Sequence, residues 1–105
     1  MTGFSAGYNA PVFERALQRM RRKIRNRQYV MTVHARVEME NDGLSILDVE
    51  SAVLSGRIVE RQTDQAWGER KFLIRGRPLE GNDSVVVVTR FGSTGEVVFL
   101  TVYTD

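Results

Sequence analysis

Apolar positions in the first part of the chain recur at the spacing of an α-helix. Pro11 suits the first turn of a helix, and apolar residues then follow at intervals of four, three and four, at Phe13, Leu17, Met20 and Ile24. This spacing places them on one face and the arginines on the opposite face. The pattern predicts a basic amphipathic helix over residues 11–28. Residues 1–10 contain two glycines and show no periodicity, so we expect a flexible N-terminus there.

The next segment, from Tyr29 to Glu40, fits two patterns. Its apolar residues alternate with polar ones, as in a half-buried strand. However, the same stretch is rich in good helix formers, and Thr32 can serve as an N-cap. We favour a short extended segment at residues 29–32, followed by a helix over residues 33–41.

A further helix is predicted over residues 45–55. Ser45 can cap it, and Asp48 three residues later completes an acidic variant of the capping box. An apolar stripe follows, and Gly56 supplies the C-terminal stop.

The pattern changes to strands after Gly56. Four runs rich in Val, Ile, Phe and Thr are separated by turn residues, at 57–63, 69–75, 84–90 and 96–103. Successive strands with short connections pair antiparallel. In the last two runs, both the odd-numbered and the even-numbered positions are apolar, which is typical of central strands covered on both faces. The first run is polar, which indicates an edge strand. The expected fold is one α+β domain over residues 11–105, with N-terminal helices followed by a four-stranded antiparallel sheet.

Composition narrows the classes of function. The chain has 105 residues, enough for one domain, with 42% apolar and 27% charged residues. It has no cysteine, which excludes disulfides, thiolate zinc sites and cysteine nucleophiles. The N-terminus lacks the features of a signal peptide, and no apolar run is long enough to cross a membrane. We therefore expect a cytoplasmic protein with no membrane partner.

Positive charge is concentrated in the first helix. The formal net charge is only +2, but seven of the fifteen basic residues lie between Arg15 and Arg27. This cluster is either a solvated helix face or a footprint for an acidic partner, nucleic acid or protein. The strands and their turns could add a basic sheet face. The candidate nucleic-acid-binding residues are Arg22, Arg25, Arg70, Arg75, Arg77 and Arg90.

His34 is the one histidine, and it has no partner at metal-ligand spacing, so we expect neither a metal site nor a cofactor. In the first turn of a helix the dipole favours a neutral ring that can accept a proton. The alternative is a structural histidine that bonds the backbone. Arg36 lies about 200° from His34 on a helix, whereas on a strand the two share a face.

Two aromatic residues are further candidates for contacts with a ligand. Tyr103 ends the last central strand, where it could offer a phenolic hydroxyl or a stacking ring, or else pack over the rim of the core. Trp67 lies in a turn beside Gly68, where it could stack on a base or cover the edge of the core.

An ordered set of motifs resembles a known family. The set comprises Tyr29-Val30-Met31-Thr32-Val33-His34-Ala35, then Met39, Leu44-Ser45, Asp48-Val49, Leu54 and Gly56, and later Gly76-Arg77-Pro78-Leu79 and Thr101-Val102-Tyr103. Over residues 29–105 the chain is similar to a bacterial family of domains of unknown function built on His-Ala-x-x-x-Met. That family resembles the BrnT and RelE/ParE toxins in architecture.

This resemblance implies a toxin of a two-component system, with RNA and an antitoxin protein as partners. In RelE-like enzymes the ribose 2′-OH attacks the adjacent phosphate without a metal, which requires a general acid and base and cations for the developing charge. By motif match His34 is the position carried over as acid or base. Arg36 and Tyr103 are the further catalytic candidates.

Two positions depart from the family pattern. Glu38 and Asp42 stand where the family often carries arginine, and anions at that helix end would weaken phosphate binding. Two other functions remain open. The chain could be a non-catalytic module that binds an acidic protein through its basic helix, or forms a homodimer through its sheet. It could also be a ParE-like toxin that inhibits a protein target without cleavage.

Overall fold

Three helices and five strands follow one another in the part of the chain that the structure describes. The computed structural model describes the backbone of residues 4–66 and 68–105, and the side chains of residues 13–66 and 68–105. The elements are α1 Phe4–Arg25, β1 Tyr29–Met31, α2 Val33–Asn41, α3 Ile46–Ser55, β2 Arg57–Thr63, β3 Arg70–Gly76, β4 Val85–Phe91 and β5 Val97–Thr104. The α+β class is confirmed, and residues 33–41 form the helix that we favoured.

The sheet has five strands in the order β1-β5-β4-β3-β2, so the predicted four-stranded antiparallel sheet is wrong. The fifth strand is the short extended segment at Tyr29–Met31, which pairs parallel to β5 at Val97–Phe99. Three residues are too few to show a strand period, and their partner lies at the other end of the chain. The other pairs are antiparallel, β4 and β5 are central, and β2 is an edge, as expected.

Helix α1 begins at Phe4 rather than at Pro11 and ends at Arg25 rather than at residue 28. Residues 1–3 lie outside the described residues, and the flexibility of residues 1–10 stays a prediction. Among the helices that the structure describes, none combines the length and apolar character needed to cross a membrane.

The core lies between the helices and one face of the sheet, here called the inner face. Leu17, Met20 and Ile24 of α1 and Val49, Ala52 and Val53 of α3 are buried against strand residues that alternate in sequence, except for an irregularity between Phe99 and Thr101 of β5. These strand residues are Ile58, Phe72, Ile74, Val85, Val87, Val97, Phe99 and Val102. The intervening strand positions form the other side of the sheet, here called the open face.

Both ends of α3 are held by polar contacts. Ser45 and Asp48 form the predicted capping box at its start. At its end, Arg21 of α1 donates hydrogen bonds to the carbonyl oxygens of Val53 and Gly56, at 3.2 and 2.6 Å. Arg21 therefore stabilises the fold, which removes one cation from the predicted footprint for an acidic partner.

Candidate functional site

Helix α2 lies beside the part of β5 that extends beyond β1. Two carboxylates, one on α2 and one at its C-cap, accept hydrogen bonds from the β5 backbone: Glu38 from the amide of Val102 at 3.2 Å, and Asp42 from the amide of Thr104 at 2.9 Å. A strand edge with unpaired backbone groups invites aggregation. Glu38 and Asp42 therefore close this part of the edge of β5.

His34 lies on the same helix and is exposed. Its Nε2 atom is 3.2 Å from Oε1 of Glu38, and 70% of its side chain is accessible. The ring does not bond the backbone in the described part of the chain, so the structural alternative for His34 is wrong. An exposed imidazole oriented by a carboxylate can accept or donate a proton.

Arg36 lies elsewhere on α2. It contributes to a surface hollow of about 660 Å³ between β1, α2 and the start of α3, lined by Tyr29, Val30, Met31, Arg36, Met39 and Ile46. We call this the β1 hollow.

The Tyr29 hydroxyl donates a hydrogen bond to Glu50. Burial, followed by this hydrogen bond, raises the pKa of Tyr29 to about 12, so the hydroxyl remains a donor at neutral pH.

Tyr103 lies on the open face, where the register places it opposite Val86, which in turn lies opposite Arg75. Its side chain is 37% exposed, so it does not fill the core. No hydrogen bond or ion pair within the described residues joins His34, Arg36 or Tyr103 to another of the three. The structure does not bring the predicted catalytic residues together, and their roles stay predictions.

The predicted basic sheet face does not form as one surface. Arg70 and Arg75 lie five positions apart on β3, so they point to opposite faces. Arg75 is paired with Asp105 at 2.6 Å, and Arg90 with Glu69 at 3.3 Å. Arg77 is exposed in the turn after β3, and Arg25 is exposed at the end of α1.

A different cluster of cations forms between α1 and the sheet. Arg70 lies with two arginines of α1 around a hollow of about 510 Å³, lined also by two aromatic rings and one carboxylate: Arg15, Arg19, Glu69, Arg70, Phe72 and Phe91. We call this the basic hollow. The Arg19 guanidinium lies over the Phe91 ring, 4.1 Å from its centroid, a cation–π contact. Phe72 supports Phe91 edge-on, with centroids 6.3 Å apart.

The charge of the basic hollow is not balanced within the described residues. Its one carboxylate, Glu69, is paired with Arg90. Arg15, Arg19 and Arg70 form no ion pair in the described part of the chain. Arg22 lies beside Arg15 and Arg19 on a shallow groove, whose one carboxylate, Glu14, accepts a hydrogen bond from Gln18. An excess of positive charge over partly apolar walls attracts anions from solution.

Arg15 and Arg19 were not among the residues predicted to bind nucleic acid. Their signal was in the sequence, because they lie four residues apart on the polar face of a helix. That signal did not single them out from the other five basic residues of the cluster. Gly68 also lines the basic hollow. Trp67, which immediately precedes it, lies outside the described residues, so its predicted contact is not described.

No group of three or more His, Cys, Asp or Glu side chains in the described ranges could hold a metal ion. The site that the structure supports best is the cluster of cations with aromatic rings in the basic hollow.

Residues 31–104 match the family described as Domain of unknown function (DUF4258), which leaves α1 and its arginines outside the match. No curated protein and no solved structure matches the chain. Since the match covers well over half of the sequence, the chain belongs to the DUF4258 family.

Proposed function

We propose that this chain binds single-stranded RNA through the basic hollow and the adjoining arginines of α1. One observation carries the proposal: Arg70 of β3 lies with Arg15 and Arg19 of α1 beside two phenylalanine rings, and none of these arginines forms an ion pair within the described residues. Guanidinium groups bind phosphates with two parallel hydrogen bonds, and both guanidinium planes and aromatic rings stack on bases.

The arrangement favours a flexible single-stranded nucleic acid over a rigid duplex. The arginines of α1 follow one helix face, whereas Arg70 approaches from the sheet, so the cations surround a concavity. A single strand can enter a concavity of this kind and leave a base over the Arg19–Phe91 pair. The resemblance to RelE and BrnT toxins supports RNA rather than DNA as the ligand.

Charge reversal at Arg70 should weaken RNA binding strongly. We expect Arg70→Glu to lower the affinity for a fluorescein-labelled single-stranded RNA by at least about tenfold, because it removes one phosphate contact and adds a repulsive one. With four arginines in contact, the plot of log affinity against log salt should have a slope of about −3, and the variant should be less steep by about 0.7. Fluorescence anisotropy at several salt concentrations measures both quantities.

Arg57→Glu is the matched control, because Arg57 is an exposed arginine on β2 that does not line the basic hollow. Equal losses in the two variants would contradict a localised site. Competition by polyglutamate as effective as competition by unlabelled RNA would instead identify an acidic protein as the partner. Equal affinity for DNA of the same sequence would contradict the choice of RNA.

Cleavage of the bound RNA is a second proposal, favoured by the exposed His34–Glu38 pair. His34 would take the proton from a ribose 2′-OH as that oxygen attacks the adjacent phosphorus to form a 2′,3′-cyclic phosphate, and the 5′-oxygen of the next nucleotide would leave and take a proton from water. The pair lies near Val102, and β5 extends about 15 Å from there to Val97 beside Phe91. An RNA of several nucleotides can span that distance. Such cleavage would supply the toxin activity that the resemblance implies.

His34→Ala should lower the rate of RNA cleavage in EDTA by about 10²-fold or more, because the general base is lost. Gel analysis of a labelled RNA measures the rate. Glu40→Ala changes another exposed polar residue of α2 and should retain the native rate. If the native protein leaves the RNA intact, or if His34→Ala cleaves as fast, the enzymatic proposal is wrong, while the binding proposal stands on its own test.

A further inference from the structure

The β1 hollow combines an apolar wall with one unpaired cation. Four of its lining residues are apolar: Val30, Met31, Met39 and Ile46. The hydroxyl of Tyr29 is already bonded to Glu50. Arg36 is exposed and forms no ion pair in the described residues, so it is the charged group that the hollow offers to a ligand.

The hollow lies along a strand edge. Strand β1 is the last strand on its side of the sheet and pairs only with β5. The carboxylates of α2 close the neighbouring part of the β5 edge, whereas no strand in the described part of the chain pairs with the outer side of β1. An extended peptide can bind such an edge by adding a strand, with alternate side chains entering the adjacent pocket.

The apolar surface continues outside the hollow. Val30 of the lining is 51% exposed, and Val33 and Val37, which lie one turn apart on α2 outside the lining, are 79% and 48% exposed. Several exposed apolar residues on neighbouring elements beside a charged group are typical of a protein-interaction surface. The two methionines can adapt to side chains of different shapes.

We propose that the β1 hollow binds an extended peptide segment of another protein, one that carries a carboxylate two positions from an aliphatic residue. The segment pairs with β1 as an additional edge strand. Its aliphatic side chain packs on the methionines, and its carboxylate bonds Arg36. The apolar wall alone would accept many ligands, and the unpaired arginine selects an acidic one.

A designed peptide tests the proposal directly. The probe is a fluorescein-labelled heptapeptide, Thr-Leu-Thr-Asp-Thr-Leu-Thr, in which both leucines and the aspartate share one face of a strand. We expect saturable binding to the native chain by fluorescence anisotropy. Replacing the aspartate with asparagine, or moving it one position so that it lies on the other face, should weaken binding about tenfold.

Variants of the chain locate the peptide. Arg36→Glu and Val30→Lys should each lower the affinity at least about tenfold, whereas Arg57→Glu on the opposite edge strand should leave it unchanged. Thermal unfolding of each variant verifies that it folds. We expect both to fold, because Arg36 and Val30 are exposed. RNA binding is measured on the same variants, so the two proposals fail or succeed separately.

Three results would overturn the proposal. They are the absence of saturable binding, equal affinity for the displaced-aspartate peptide, and native affinity in both hollow variants. A concentration-dependent dimer that Val30→Lys dissociates and that the peptide does not displace would show that a second copy of the chain is the occupant, which also contradicts it.

Discussion

Gly76→Ala is expected to lower the free energy of unfolding by about 3 kcal/mol or more, because a methyl group at this position has no room. Gly76 is buried at the end of β3, and an added Cβ would overlap the backbone of Ala52 in α3. Gly56 has the same neighbour. Backbone atoms cannot rotate away, so α3 would have to move off the sheet. Urea unfolding followed by circular dichroism measures the loss.

Gly43→Ala separates this steric effect from conformational strain. Gly43 has a φ of +70°, and no atom lies within 4 Å of its added Cβ. The substitution should cost about 1 kcal/mol through backbone strain alone. Similar losses for the two variants would show that α3 does not pack on β3 as tightly as the structure indicates.

Phe99→Ala should cost about 3–5 kcal/mol, the usual range for a fully buried aromatic residue. The side chain is 0% exposed, and its ring lies 5.1 Å from that of Tyr29. Its strand neighbours are Met31 on β1 and Thr89 on β4. The substitution therefore leaves a cavity at the point where β1 pairs with β5. Urea unfolding again measures the effect.

Two controls calibrate this loss. Phe99→Leu should cost clearly less, because most of the cavity stays filled. Leu79→Ala, at a residue that is 63% exposed, should be nearly neutral. If Phe99→Ala is as well tolerated as Leu79→Ala, the core described above is incorrect.

Local patterns predicted most of the elements but not all of the pairing. Ser45 and Asp48 cap α3, and Thr32 caps α2 by accepting from the amide of Ala35, because capping depends on neighbours in the chain. The role of Tyr29–Met31 as a fifth strand depends on residues at the opposite end of the sequence. No local period could reveal that partner.

The candidate site was less predictable than the fold. Arg70 and the cluster on α1 were both recognised as basic, but their meeting depends on how α1 packs over the sheet. Arg75 and Arg90 looked equivalent to Arg70 in the sequence, yet Asp105 and Glu69 pair with them. The charge available for a ligand is set by these ion pairs, which composition does not reveal.

The sequence by itself determined the helices, four of the strands, the basic face of α1 and the membership of the α+β class, because each depends on periodicity or on residues close in the chain. Only the tertiary structure decided that Glu38 and Asp42 close the edge of β5 and that Arg15, Arg19 and Arg70 share one hollow. These arrangements join side chains that are distant in sequence. Their geometry is set by packing and not by local pattern.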